Sequence, residues 1–221
     1  MSVFDIIVTY KEGLLAGLFV TLKLCLIIWS SGIVIGTILG YLGSKYRKEV
    51  GGFSSSASFV LSGIPVLILL FWLHYPLQAI LNVSIDPFYT AALAISIINV
   101  FAVADLVRSA LINFPVQYSL AAKVCGLTQK ETFIKIEFPI ILRQIIPTVL
   151  SLQVNMLQLT LFASFISVEE IFRVSQRINA LIYKPIEIYT ALAIFFLIIC
   201  LPLNGLAIWL KRKYTRDISE N

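Results

Sequence analysis

Five apolar stretches, each long enough to cross a bilayer, take up most of this 221-residue chain. They lie at about 14–43, 57–81, 87–110, 144–167 and 187–210. A spanning helix needs about 20 mostly apolar residues. The chain is therefore expected to be an all-α integral membrane protein, a single transmembrane domain over 1–221. Only 13% of its residues are charged, against about 25% in soluble domains. The loops left between five spans are short. Any soluble machinery that works with this chain must belong to another chain.

The start, Met1 to Ile7, has no basic stretch before its first apolar run. It does not look like a cleaved signal peptide, and the first span is expected to serve as its own insertion signal. Lysine and arginine set the expected orientation. Twelve of them fall in 44–56, in 111–143 with its boundary residues, and in the C-terminal tail; four fall on the other side. This places the N-terminus outside and the C-terminus in the cytoplasm, as an odd number of spans requires. The localisation so expected is a bacterial plasma or inner membrane, crossed several times.

Within the spans, Gly32, Gly36 and Gly40 recur every four residues on one helical face. Small residues there let another helix approach closely; whether that neighbour belongs to this chain or to another is left open. Lys23 lies inside the first span, and both snorkelling to the interface and pointing into a cavity fit it. Pro65, after Gly63, frees a backbone carbonyl and kinks the second span. Trp72, His74 and Tyr75 sit near that span's outer end, where aromatic residues anchor at the interface. Asp105 and Arg108, three apart, suit an ion pair. Asn155, Gln158 and Thr160 in the fourth span are expected to face the bundle interior, as helix glue or as a solute pathway. Glu169, Glu170, Arg173 and Arg177 suggest a short helix on the outer surface. Cys25, Cys125 and Cys200 have no metal-ligand spacing.

From about Leu111 to Arg143 a basic, mixed-character segment interrupts the spans. Leu120, Ala121, Ala122 and Val124, then Phe133, Ile134, Ile136 and Phe138, could line one apolar side of two short helices. Gly126 suits a turn needing positive φ or close approach. Thr128 with Glu131 resembles a capping box, and Pro139 is expected to end or bend the second helix before the fourth span. The product is a short helix-turn-helix elbow. Two readings fit it: a compact loop, or insertion into a groove on another protein.

At these residues the chain resembles the membrane subunits of bacterial ABC importers, in particular the polar amino acid permease group. The match to that group's coupling signature runs from Pro115 through Ala121, Ala122, Gly126, Leu127 and Thr128 to Ile136 and Pro139. Thr21-Leu22, Gly63 and Pro65, Ala104-Asp105 and Arg108, and Arg143, Pro147, Asn155 and Thr160 continue it in register. Leu120 stands where the signature has glutamate, Gln117-Tyr118 where it has Gly-Gln, and Gln158-Leu159 where the group commonly has Lys-Asp.

The resemblance implies the type I importer permease fold, with a cytoplasmic coupling elbow. It implies a permease subunit that moves a small polar solute, an amino acid, by alternating access. Its implied partners are two ATP-binding cassette ATPases, a second permease subunit (same or homologous), an extracytoplasmic solute-binding protein and the lipid bilayer, with no nucleic acid. Pro115, Leu120, Ala121, Ala122, Lys123, Gly126, Leu127, Thr128 and Pro139 would form the ATPase-coupling element. Without Leu120's usual charge, docking would rest more on packing and on Lys123, Lys130 and Lys135. The chain lacks a Gly-x-x-x-x-Gly-Lys-Ser/Thr phosphate loop, so no enzymatic role is expected. It would bind no cofactor itself, ATP and Mg being held by the partner ATPase. A membrane anchor without transport, or an ion-coupled carrier using Asp105 and His74, are the alternatives.

Overall fold

The computed structural model describes residues 2–215. Arg216, part of the charge bias above, lies outside them. A short helix α1 (Val3–Thr9) leads into α2 (Lys11–Lys45), the first span. A wide π-helical turn at Arg47–Gly51 starts the second passage, through α3 (Gly52–Gly63), α4 (Val66–His74) and α5 (Pro76–Leu81). Then come α6 (Pro87–Ile112), the elbow helices α7 (Val116–Val124) and α8 (Gln129–Thr132), and α9 (Phe138–Leu159). A tight 3₁₀ turn (Thr160–Ile166) leads to α10 (Ile171–Ile182) and α11 (Pro185–Thr215). We call the two ends of the bundle the elbow end and the far end.

Among the described residues four helices are long and apolar enough to span, and α3 with α4–α5, bent by 99° between them, makes a fifth if the pair is taken as one broken span. The expected kink at Pro65 is thus a break. Ile64 takes an extended conformation, as a residue before proline prefers, and α3 stops there. The far half of that passage is pinned to α6. Gln78 Nε2 donates to Thr90 Oγ1 at 3.1 Å and lies 3.3 Å from His74 Nδ1, while Gln78 Oε1 accepts from Ile85 N at 2.9 Å. His74 is therefore part of a side-chain cluster.

The core is built where α2 and α6 run parallel. Gly32, Gly36 and Gly40 all face α6, which answers the open question of their neighbour. A Cβ at Gly36 would lie 2.8 Å from the Val100 carbonyl oxygen, and one at Gly40 2.6 Å from that of Ala104. Leu24, Ile28, Leu70, Ile95, Met156 and Ile166 fill the space between α2, α4, α6, α9 and the 3₁₀ turn. Cys25 and Cys200 are buried as small apolar groups beside Val154 and Leu157, and Cys125 is exposed. Lys23 is exposed, its Nζ 4.6 Å from the centre of the Phe19 ring, so it points back along α2 toward the far end.

One buried polar node ties three spans together. Asn99 Nδ2 donates to the Ile28 carbonyl (2.8 Å) and to Gln153 Oε1 (2.9 Å); Gln153 Nε2 returns a bond to Asn99 Oδ1 at 3.2 Å. A side chain at Gly32 would collide with Asn99 Nδ2, at 2.1 Å. Interhelical bonds in lipid contribute about 0.6–2 kcal/mol each. Replacing Asn99 and Gln153 by leucine, singly and together, is expected to show coupling of about 1 kcal/mol or more in a double-mutant cycle on thermal unfolding. Additive losses would mean that the two amides act independently.

At the far end α10 lies across α2. The α2 face offers Gly17 and Thr21, whose hydroxyl accepts from Ile171 N at 3.2 Å. The expected outer helix is amphipathic: Ile171, Val174 and Ile178 are buried, while Glu169 pairs with Arg177 at 2.9 Å. Glu170 is fully buried and caps α10, accepting from Phe172 N (2.9 Å) and Arg173 N (2.8 Å). Burial pushes its carboxyl up to about 7; the two N–H donors pull the other way, and Glu169 adds a smaller push. A carboxyl raised above its ordinary 4.5 holds its proton more tightly when folded. Its contribution is full below that value and is lost as pH rises to about 7. Against Glu170→Gln, the wild type is expected to lose stability over this window, by at most ~1.4 kcal/mol per pH unit. Parallel pH profiles of the melting temperature would contradict this.

Candidate functional site

The elbow is built by two capping motifs back to back. α7 ends in a Schellman motif: Leu127 N donates to the Ala122 carbonyl and Gly126 N to that of Lys123, both at 3.0 Å. Gly126 has φ +75°, and a Cβ there would meet nothing within 4 Å. Of the two reasons for a glycine at this point, backbone conformation is the one the geometry uses. Two residues on, Thr128 starts α8. Its hydroxyl accepts from Glu131 N at 3.3 Å, and Glu131 Oε2 accepts from Thr128 N at 3.1 Å, which completes the expected capping box. Ser119 Oγ donates to Glu137 Oε1 at 2.8 Å and clips α7 onto the helix beyond the turn.

The interval 111–143 is mostly helix, as the elbow reading expects, with short irregular links at 113–115 and 125–128. Two expectations for this segment change. Its apolar residues do not share one side. Ala122 is buried, Ala121 is exposed, and Val116, Leu120 and Val124 stand 68, 56 and 89% exposed at i, i+4 and i+8 on the open face of α7. Pro139 does not end the second helix. The helical course is continuous from Gln129 to Ile166. The π-helical turn at Phe133–Glu137 precedes the proline, and a widened turn gives its ring room against the preceding carbonyls.

Pro115, Leu120–Lys123 and Gly126–Thr128 thus form one compact turn, with Pro139 a short way along the following helix. This helical course is about 57 Å long at 1.5 Å per residue. It runs from the elbow to the junction with α10. A displacement of α8 cannot be absorbed by a loop before it reaches the far end.

The polar residues expected to face the interior are divided. Thr160 is buried, its hydroxyl donating to the Leu157 carbonyl at 2.7 Å. Asn155 and Gln158 are exposed. The interior amide on this helix is Gln153, two residues earlier. Asn155 and Gln158, with exposed Gln144 and Thr148 before them, make a polar stripe along α9, and exposed Phe165 continues it beyond the helix. At the elbow end the stripe meets a groove of about 590 Å³ between α3, α6 and α9, lined by Ser58, Asp105, Ser109 and Asn113 as well. Asp105 is paired there with Arg108 at 2.5 Å. At the far end Phe165 joins Phe71, Trp72 and Tyr75 in a second open pocket. A polar face of this length, in a helix otherwise packed on α6 and α11, is costly against lipid.

The residues that sequence reasoning missed are Asn99, Gln153, Gln78 and the cap made by Glu170. Asn99 and Gln153 are lone polar residues in apolar settings, and their partners are distant in sequence. Gln78 and Glu170 have partners close in the chain, and the N-cap position of Glu170 before Ile171 was the signal available there.

Comparison with known proteins accords with this geometry. The histidine/lysine/arginine/ornithine transport system permease protein HisQ of Salmonella typhimurium is 24% identical over 220 residues, covering 93% of this chain and 95% of that protein. The glutamine transport system permease protein GlnP of Escherichia coli is 27% identical over 206 residues, 90% of this chain and 92% of the relative. The L-cystine transport system permease protein TcyB of Bacillus subtilis is 29% identical over 207 residues, 92% and 87%. A chain in the crystal structure of an amino acid ABC transporter with histidines shares the fold, with a TM-score of 0.83 at 22% identity over 94% of this chain and 96% of its own. The family described as binding-protein-dependent transport system inner membrane component matches residues 32–216, most of the chain and the whole of the elbow, the glycine-packed core and the α9 stripe. This chain belongs to that family of multi-pass inner membrane transport components.

Proposed function

We propose that the chain is the permease subunit of an ATP-driven importer that carries a small polar solute, an amino acid, across the membrane. The observation that carries this reading is the elbow. It is a doubly capped turn with an exposed apolar face, joined without a break to a spanning helix whose exposed face is polar. That combination suits a part which is pushed at one end and opens or closes a path along its length.

In this reading the α7 face made by Val116, Leu120 and Val124 enters a groove on an ATPase, one ATPase for each of two permease subunits. Docking rests on packing, because the exposed centre of that face is leucine. Asn155 and Gln158 offer neutral donors and acceptors to the solute, and a second permease, identical or homologous, supplies the opposite wall. A soluble binding protein delivers solute at the far end. The basic elbow end and the C-terminus lie in the cytoplasm and the N-terminus outside, as the lysine and arginine bias favours. The chain itself performs no catalysis, and ATP and Mg belong to the ATPase. The test is ATP hydrolysis by the complete transporter reconstituted with its binding protein and screened over amino acids. Stimulation by one polar amino acid or a small set of them is expected. No stimulation by any amino acid, or uptake that continues without ATP, would sink the proposal.

A further inference from the structure

A cleft at the far end plays no part in the transport path described above. It lies between α1, the start of α2, α10 and the start of α11. Its volume is about 260 Å³, and apart from Lys11 at the mouth and Ser175 its wall is apolar, with Leu14, Leu18, Ile178 and Phe195 among its lining. The Ser175 hydroxyl is already spent on the Ile171 carbonyl at 2.8 Å. A second, more polar pocket of about 360 Å³ adjoins it, and the two share Lys11 and Ile178. This polar pocket adds Tyr10, Glu12 and Arg177. An apolar cavity therefore borders a rim that carries both signs of charge.

The position of the cleft limits what can fill it. Its flanks are the exposed apolar faces of two spans: Leu15 and Phe19 on α2, Ile194 and Leu197 on α11. Only 11% of the α11 span is buried, so this helix lies at the edge of the bundle. Lys11 is the first residue of α2, just before the apolar run of the first span, a place suited to a lipid headgroup. Water has too few polar partners in the cavity to fill it, and an empty cavity would forfeit dispersion contacts on every side. Hydrocarbon is the filling that the surrounding bilayer offers.

We propose that this cleft holds one phospholipid, with an acyl chain in the apolar cavity and the headgroup at the rim. Lys11 and Arg177 meet the phosphate, and Glu12 meets an ammonium group. Arg177 also keeps Glu169 as a partner, whereas Lys11 takes part in none of the ion pairs found among the described residues. The mixed signs select a zwitterionic headgroup with a free amine, phosphatidylethanolamine, over phosphatidylglycerol. So placed, the lipid braces α10 against α1, α2 and α11.

The test uses the assembled transporter, taken from vesicles of equal phosphatidylethanolamine and phosphatidylglycerol into mild detergent and washed extensively. Bound lipid is then counted by native mass spectrometry. One phosphatidylethanolamine per copy of this chain is expected to remain. Ala191→Phe, which fills the cavity from α11, should abolish retention. Lys11→Ala, an exposed substitution that leaves the packing intact, should weaken retention about fivefold, the worth of one lysine near a phosphate surface. Equal retention in the wild type and both variants would overturn the proposal. So would equal retention of the two lipids, or a crosslink from Leu15→Cys to another protein subunit, which would show that protein covers the cleft.

Discussion

Gly40→Val is expected to prevent the bundle from assembling. Its Cβ would sit 2.6 Å from the Ala104 carbonyl oxygen and 2.8 Å from Val107 Cβ. A main-chain oxygen inside a helix cannot swing aside, so α2 and α6 must separate. Overpacking alone costs about 1–3 kcal/mol. Separation also loosens the close approach at Gly36 and the bonds from Asn99 to Ile28 and Gln153, so the loss exceeds that range. The expected observation is aggregation in detergent, or a large fall in melting temperature by size-exclusion thermal challenge. Gly52→Ala and Gly205→Ala are the controls, since a Cβ at either meets nothing within 4 Å. A well-dispersed Gly40→Val protein that melts with the wild type would refute the packing account.

Gly126→Val should have an equally large effect of a different kind. The bundle is expected to fold while coupling is lost. With φ at +75°, a β-branched residue pays about 1–2 kcal/mol or more for the left-handed region. Escape from that region breaks the two Schellman bonds and misplaces Thr128 at the head of α8. The Val116–Leu120–Val124 face then no longer holds a fixed angle to the rod that begins at Gln129. Solute-stimulated ATP hydrolysis and copurification with the ATPase should fall at least tenfold. Gly126→Asn, which tolerates positive φ, should keep most of both. Because the space around Gly126 is open, a result in which asparagine and valine are equally harmful would point to side-chain contact with the ATPase instead of backbone strain.

What could be read from the sequence was whatever depends on neighbours a few residues apart. Four-residue spacing reveals a packing face, so Gly32, Gly36 and Gly40 announced it; Gly126 followed by Thr128 and Glu131 announced the turn. What could not be read depends on helix phase and on distant partners. Asn99 bonds to residues 71 and 54 positions away. Which of Gln153, Asn155 and Gln158 turns inward follows from how α9 lies on α6 and α11, not from hydropathy. Of the two outcomes that Pro139 allows, an end is the one that does not occur: the π-helical turn before it accommodates the ring, and such a turn leaves no mark in composition. Pro65 predicts a kink and not a break, because the residue alone does not say how far the chain turns.

That π-helical turn at Phe133–Glu137 has one more consequence. It holds roughly one residue more than an α-helical turn, and each residue of an α-helix is worth about 100° of rotation. A π-helical turn takes up its surplus residue within a single rotation, so the elbow and the Asn155–Gln158 face keep the angular register of an uninterrupted α-helix, much as a keyway sets a gear on its shaft. Removing one residue there would restore an α-helical turn with that register kept, whereas removing one from the α-helical stretch between Phe138 and Asn155 would put the elbow and the face out of phase by about 100°. Transmission through this helix is then a matter of angle as well as of stiffness.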